Sequence, residues 1–126
     1  MSTNYYILTK DKSIIERYGL TYELTDEPDW GYWAHIVQLY SDYVPLFQAH
    51  KNVRSLPAVF SLLQETNLTV YDEYYKKMDV AQFCDKLQTM CNDDSRKPRT
   101  WDMQHDTYLR YFKDVYGNEF LEGDFV

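Results

Sequence analysis

Two spacings of apolar residues follow one another along the chain, an alternation typical of β-strands and a three-to-four-residue spacing typical of α-helices. Alternation, together with aromatic and β-branched residues, predicts short strands over residues 4–9, 21–24, 32–40, 43–48, 68–72 and 107–113, with a last segment over 119–126 that pairs back on the one before it. Residues 107–113 also fit a helix. Their tyrosines and the Tyr116-Gly117-Asn118 turn that follows favour the strand.

Helical spacing is clearest where a side chain able to cap a helix comes first. Ser55 precedes an apolar stripe that ends at Asn67, and Asp79 precedes the best-specified helix of the chain. The apolar positions of that second helix follow the i, i+3, i+4, i+7 rule: Val80, Phe83, Cys84, Leu87, Met90 and Cys91. A shorter helix of two turns is predicted between Asp11 as N-cap and Gly19 as C-terminal stop.

The strands over 32–40 and 43–48 predict an antiparallel hairpin at the middle of the sheet, joined through Ser41 and Asp42. Strict alternation places four side chains of the first strand on one face: Trp33, His35, Val37 and Leu39. Pro45 has no backbone N–H to donate, so we expect it at a sheet edge or a bulge.

The order of these elements predicts an α+β fold, in which a small, mostly antiparallel sheet of about five to six short strands packs against two main helices. A chain of 126 residues has the size of one ordinary domain. We therefore expect residues 1–126 to form a single domain.

Charge and aromatic content narrow the classes of function. The chain has 20 acidic and 13 basic residues, a net charge of −7, which argues against direct binding to nucleic-acid phosphates. Its 13 tyrosines, six phenylalanines and three tryptophans are far more than a disordered acidic segment carries. No apolar run reaches the length of a membrane span and the first residues lack a signal-peptide pattern, so we expect a cytoplasmic protein without membrane association.

No arrangement that carries catalysis or holds a cofactor stands out. His35, His50 and His105 lack partners at the spacing of a zinc motif, and the four glycines do not form a phosphate-binding loop. Cys84 lies on the apolar stripe of its helix, a setting too apolar to activate a nucleophile. It lies two turns from Cys91, which is too far for the two residues to form a disulfide. We therefore predict no catalytic residue, no metal and no cofactor, and a binding protein rather than an enzyme.

Acidic residues and surplus tyrosines occur together in the predicted turns and in the C-terminal tail. Tyrosine combines a large contact area with a polar tip and is enriched at protein interfaces. Carboxylates beside it complement a basic surface, including one that normally holds nucleic acid. We predict a partner-binding surface made of these groups: Asp26, Glu27, Asp29, Trp30, Tyr32, Asp72, Glu73, Tyr74, Tyr75, Glu119, Glu122 and Asp124.

Three segments together resemble a group of small, mostly uncharacterised bacteriophage and prophage proteins: WAHIVQLYSDYVPLFQAH (33–50), VYDEYY (70–75) and DVYGNEFLEGDFV (114–126). The residues that match the pattern of that group are His35, Ile36, Pro45, Leu46, Phe47, Asp72, Glu73, Tyr74, Gly117, Phe120, Gly123 and Phe125. The chain departs from the pattern at three places. Val37-Gln38 stands for Gly-Lys, Asp42-Tyr43 stands for Gly-Trp, and Tyr75 stands for the glycine after Asp-Glu-Tyr.

The resemblance implies a phage accessory protein and brings no catalytic role with it. Our leading hypothesis is a protein that binds and inhibits or modulates a host protein in the cytoplasm of the infected bacterium. The target would belong to a defence system such as CRISPR or restriction, or to the transcription machinery, and its nucleic-acid site would be covered. One alternative is a self-associating assembly factor that forms a homodimer. The other is a small enzyme or ligand-binding module around His35 and Asp72.

Overall fold

The computed structural model describes residues 2–98 and 110–123, which form one mixed sheet with helices packed on it. The elements in chain order are β1 (Ser2–Thr9), α1 (Lys12–Tyr18), β2 (Glu23–Thr25), β3 (Gly31–Tyr40), β4 (Leu46–Gln48), α2 (Leu56–Leu63), β5 (Leu68–Asp72), β6 (Lys77–Met78), α3 (Val80–Cys91), β7 (Arg110–Lys113) and β8 (Glu119–Glu122). No helix within these described ranges has the length and apolar character needed to cross a membrane.

The sheet has the order β6-β5-β1-β3-β4-β8-β7, and β2 pairs with the start of β3. All pairings are antiparallel except that of β4 with β8. The predicted α+β class and the central β3–β4 hairpin are therefore confirmed. The described residues contain eight strands, more than expected, because the two-residue β6 forms a short pairing that left no periodic signal in the sequence.

The helices begin where the capping side chains predicted. Asp11 accepts a hydrogen bond from the Ser13 backbone N–H at 2.9 Å, and Asp79 accepts one from Gln82 at 2.9 Å. Gly19 ends α1 with φ of 59°, a left-handed conformation that glycine adopts without steric cost. α2 ends earlier than expected, with Gln64 as its C-cap. The two cysteines of α3 are free thiols, as predicted.

The core lies between the helices and one face of the sheet. Side chains from all three helices join a single apolar cluster with residues of the central strands, among them Tyr5, Ile7, Val37, Phe47 and Phe120. Along β1, the ring of Tyr5 contacts Phe83 of α3, with ring centroids 4.8 Å apart. The next side chain, Tyr6, points to the opposite side of the sheet because successive residues of a strand alternate. We call that opposite side of β5, β1 and β3 the open face.

A β-bulge in β3 corrects the predicted alternation of that strand. Tyr5 lies opposite Val37 and Tyr6 lies opposite His35, so Ile36 is an extra residue in the β3 strand. The bulge reverses the faces of the residues that follow it. Val37 and Leu39 therefore face the core, whereas Trp33 and His35 face the open side, and the prediction that all four share one face is wrong.

The second strand of the hairpin also differs from its prediction. β4 contains three residues, and Pro45 lies just before it instead of inside it. Pro45 therefore has no ladder hydrogen bond to make, and its missing N–H does not interrupt β4. β4 pairs on both sides, with β3 and with β8, so it is not an edge strand. The predicted strand over 107–113 is confirmed for 110–113, while residues 107–109 lie outside the described part of the chain. β8 pairs back on it as expected.

Candidate functional site

Four aromatic side chains form a continuous cluster on the open face, which we call the aromatic face: Tyr6, Trp33, Tyr71 and Tyr75. Tyr6 and Trp33 stack with ring centroids 4.7 Å apart and an interplanar angle of 16°. The Trp33 ring also contacts Tyr71 at 5.9 Å and Tyr75 at 5.7 Å. The register explains the cluster, because Tyr6 lies opposite Tyr71 on β5 and opposite His35 on β3. Three neighbouring strands thus bring together rings that are distant in sequence.

Tyr75 occupies an unusual backbone position in the turn between β5 and β6. Its φ is 64°, in the left-handed region that residues with a Cβ rarely adopt. The Asp72 carboxylate fixes this turn by accepting hydrogen bonds from the backbone N–H groups of Tyr74 at 2.8 Å and Lys76 at 2.9 Å. Tyr75 is 47% exposed and lies at the rim of the aromatic face.

A second turn of the same design joins β7 to β8. Asp114 accepts hydrogen bonds from the backbone N–H groups of Tyr116 at 2.9 Å and Asn118 at 2.8 Å. The position that corresponds to Tyr75 is here Gly117, with φ of 84°. The two turns can therefore be compared directly: at the left-handed position the β7–β8 turn has glycine, which this conformation favours, whereas the β5–β6 turn has Tyr75.

A pocket of about 410 Å³ opens beside the aromatic face. Tyr6, Trp33 and His35 line it from the sheet, and Tyr22 and Glu23 line it from the segment that leads into β2. Asn4, Thr21, Gln48, Ala49, His50 and Gly123 complete the lining. A concave site with aromatic walls and a few polar groups has the general character of a ligand site.

His35 is held in the pocket wall by two amide side chains. Its Nδ1 lies 3.1 Å from Gln48 Oε1 and its Nε2 lies 2.9 Å from Asn4 Oδ1. The pKa of His35 is lowered to about 4, because the lowering caused by burial outweighs the increase caused by the hydrogen bond with Gln48. Two facing oxygens suit a charged ring, whereas burial favours a neutral one. We favour the neutral ring, because turning the Asn4 amide over presents its NH₂ to Nε2.

The orientation of Gln48 supports the same assignment. Its Nε2 donates to the backbone oxygen of Gly123 at 2.6 Å, with longer contacts to Leu121 and Ala49. This fixes Gln48 Oε1 toward the ring, so His35 donates from Nδ1.

His50 closes a gap in the sheet behind the pocket. Along one edge of β3, pairing with β2 ends at Trp33 and pairing with β4 begins at Val37. His50 Nε2 donates to the backbone oxygen of His35 at 2.8 Å, and its Nδ1 accepts the backbone N–H of Thr21 at 3.0 Å. Burial lowers the pKa of His50, and both ring nitrogens have structural partners. His50 is therefore a structural residue.

The pocket and the aromatic face carry negative charge. Burial raises the pKa of the Tyr6 hydroxyl, and the nearby carboxylates of Glu73 and Glu23 raise it further. Glu73 also accepts a hydrogen bond from the Asn4 backbone N–H at 2.9 Å. No lysine or arginine is among the described residues that line the pocket. A cation would therefore be attracted to this site.

The predicted acidic loop lies at one end of the open face. Asp26, Glu27, Asp29 and Trp30 are exposed there. Lys10 forms an ion pair with Asp29 at 3.0 Å and lies over the Trp30 ring at 5.8 Å, so part of the acidic charge is balanced within the chain. Asp29 and Tyr71 line the same hollow of about 510 Å³, which places the loop next to the aromatic face.

Two predicted contact residues of the tail, Glu119 and Glu122, are not brought to this surface. Glu119 is only 2% exposed, and Glu122 forms an ion pair with Arg54. The physical reason is that β8 is an inner strand between β4 and β7, so its side chains pack within the fold. Glu119 is therefore withdrawn from the predicted surface, and Asp124 lies outside the described residues.

Tyr32 is half-buried against the core and contacts Tyr22 edge-on at 5.1 Å.

The turn 72–76 contributes differently from what was predicted. Tyr74 is exposed, but Asp72 and Glu73 are half-buried, and both use carboxylate oxygens in hydrogen bonds within the chain. Three residues of the aromatic face are not among the predicted contact residues: Tyr6, Trp33 and Tyr71. The alternation of β1 carried a signal for Tyr6, since it falls on the opposite face from Tyr5 and Ile7.

Within residues 2–98 and 110–123, no cluster of three or more His, Cys, Asp or Glu side chains is arranged to hold a metal ion. In comparisons with known proteins, no family model, no curated protein and no solved structure matches this chain.

Proposed function

We propose that this protein acts by binding another protein through its aromatic face, and that it is not an enzyme. The observation that carries the proposal is the left-handed backbone conformation of Tyr75. A left-handed conformation costs a non-glycine residue about 1–2 kcal/mol. The turn at Gly117 forms without that cost, so the fold alone does not account for a tyrosine at φ of 64°. The gain is a half-exposed ring that extends the aromatic cluster toward solvent, and strain of this kind concentrates at functional sites.

Charge supports a basic partner. Glu23 and Glu73 flank Tyr6, the exposed acidic loop lies at the end of the same face, and the whole chain has a net charge of −7. Complementary charge speeds association and selects partners. We propose that the partner is a host protein whose basic surface normally holds nucleic acid, and that covering this surface inhibits or modulates it. The resemblance to phage proteins is the reason for placing the partner in an infected bacterium.

The test compares variants in binding to a purified partner. The partner is first captured from a bacterial lysate at moderate salt and then produced alone, and its affinity is measured by calorimetry. Removing an exposed interface ring that is a hot spot costs at least about 1.4 kcal/mol, so Tyr75→Gly should weaken binding at least about tenfold.

The matched control is Tyr116→Ser. Tyr116 is 68% exposed in the equivalent turn between β7 and β8, away from the aromatic face, and its removal should leave the affinity within about twofold. Equal affinities of wild type and Tyr75→Gly would overturn the proposal. Binding that does not weaken with added salt would overturn the basic character of the partner. A homodimer in sedimentation that Tyr75→Gly dissociates would replace the host partner by a second copy of this chain.

A further inference from the structure

We infer that the pocket beside Tyr6 receives an arginine side chain of the partner. This inference rests on the proposed protein-binding function and adds the chemistry of the contact. The pocket lies at the edge of the aromatic face, so a chain that crosses Tyr75 and Trp33 can insert one side chain between Tyr22 and Tyr6.

The walls suit a flat cation. The stacked rings of Tyr6 and Trp33 form one side of the pocket and Tyr22 forms another. A guanidinium group is planar, is weakly hydrated and stacks on aromatic rings, whereas an ammonium group is compact and strongly hydrated. Cation–π attraction is strongest for tryptophan and tyrosine faces. The geometry therefore favours arginine over lysine.

Charge and hydrogen-bond capacity agree with the same occupant. Glu23 supplies a carboxylate in the lining, and the Glu73 carboxylate lies close enough to act on the Tyr6 hydroxyl. None of the ion pairs formed within the described residues engages Glu23 or Glu73. A guanidinium has five N–H donors and no acceptor, so it can donate to the Glu23 carboxylate in the lining.

The volume of the pocket and the uncharged His35 in its wall also suit an arginine side chain. A volume of about 410 Å³ holds one long side chain with part of its backbone. His35 stands in the wall with its pKa lowered by burial, so at neutral pH it adds no positive charge against an entering cation. A cationic wall would have argued for an anion instead.

The experiment uses small probes in place of the partner. N-acetyl-arginine methylamide is titrated into the full chain while the Trp33 indole N–H and the Tyr6 ring are followed by NMR. The comparison probes are the citrulline analogue, which has nearly the same shape without charge, and the lysine and phenylalanine analogues. We expect saturable shifts with arginine and at least about tenfold weaker binding of citrulline. Citrulline or phenylalanine binding as well as arginine would overturn the inference.

Two variants locate the probe. Glu23→Gln should weaken arginine binding about fivefold, because it removes the carboxylate from the lining. Asp26→Asn removes the same charge from the adjacent loop, outside the lining, and should change the affinity by less than about twofold. Equal effects of the two variants would show nonspecific attraction and would overturn the pocket assignment.

The two proposals fail separately. If Tyr75→Gly abolishes partner binding but arginine does not bind the pocket, the arginine site is overturned and the aromatic face stands. If arginine binds the pocket but the partner binds Tyr75→Gly unchanged, the guanidinium site stands and the proposed use of the aromatic face is overturned.

Discussion

Tyr75 and Gly117 occupy the same position in two turns of one design, with φ of 64° and 84°. In each turn an aspartate accepts backbone N–H groups two and four residues further on. In each the backbone N–H of the left-handed residue donates to the oxygen of that aspartate, at 3.1 Å. The turn backbone is therefore the same, and only the side chain at the left-handed position differs.

This equivalence predicts that Tyr75→Gly will change stability little. Relief of the left-handed strain gains about 1–2 kcal/mol, loss of the Trp33 ring contact costs about 0.5–1.5 kcal/mol, and the greater freedom of glycine in the unfolded chain costs about 0.5–1 kcal/mol. We expect a net change in the free energy of unfolding within about 1 kcal/mol, measured by urea denaturation. The reciprocal change, Gly117→Tyr, should destabilise by about 1 kcal/mol, because the left-handed strain of about 1–2 kcal/mol is partly offset by the smaller freedom of tyrosine in the unfolded chain. A large loss with Tyr75→Gly would mean that the ring stabilises the fold instead of serving a partner.

Two glycines with positive φ should respond differently to alanine. At Gly117 a Cβ would meet nothing within 4 Å, so Gly117→Ala carries only the backbone cost of about 1 kcal/mol. At Gly19 the Cβ would lie 2.5 Å from Lys51 Cβ. The two segments are held together, since Lys51 donates its backbone N–H to the Gly19 oxygen at 3.2 Å. We expect Gly19→Ala to cost at least about 1 kcal/mol more than Gly117→Ala in thermal or urea unfolding. Equal losses would show that Lys51 moves freely.

The helices of this fold could be predicted because their signals are local. Asp11, Ser55 and Asp79 each cap a helix whose apolar positions lie within the next few turns, and all three caps are present. The centre of the sheet could also be predicted, since β3 is long and apolar on both faces and its hairpin partner follows it directly.

The aromatic face could not be predicted, because it depends on contacts between distant parts of the chain. Tyr6 meets Tyr71 only because β5 pairs with β1, and Trp33 faces the same side only because of the bulge at Ile36. Glu119 was expected at the surface because a short tail with repeated acids resembles an exposed terminus. Its burial follows from the parallel pairing of β8 with β4, in which Leu46 lies opposite Glu119, 73 positions further along the chain, and no local pattern reveals such a pairing.

Asp114 is expected to contribute more to stability than Asp72, although both organise the same type of turn. Asp114 Oδ2 also accepts the backbone N–H of Leu56 at 2.8 Å, which ties the β7–β8 turn to the first turn of α2. A carboxylate at a helix N-terminus also interacts favourably with the helix dipole. We expect Asp114→Ala to lower the free energy of unfolding by about 1 kcal/mol more than Asp72→Ala does. Equal losses in urea denaturation would show that the bond to Leu56 contributes nothing measurable.

His35 should make the fold less stable as the solution becomes acidic. Burial lowers its pKa from 6.5 to about 4 in the folded protein, so between these pH values the unfolded chain binds a proton that the folded chain excludes. The free energy of unfolding therefore falls as pH decreases from about 6.5 to about 4, by about 3 kcal/mol in total from this residue. From about pH 7.5 upward, one unit above its pKa of 6.5 in the unfolded chain, His35 is almost entirely neutral in both states and contributes little pH dependence.

The contribution of His35 can be separated from that of the carboxylates by the variant His35→Gln, which keeps a polar side chain between Asn4 and Gln48 but cannot titrate. Urea denaturation at several pH values between 7.5 and 5 should show a steeper loss for wild type than for the variant. The difference in slope approaches about 1.4 kcal/mol per pH unit, the effect of one proton. His50 has a pKa lowered by burial as well, and its contribution is retained in both proteins. Parallel curves would mean that His35 is protonated in the folded state, with both amide oxygens accepting from the imidazolium ring.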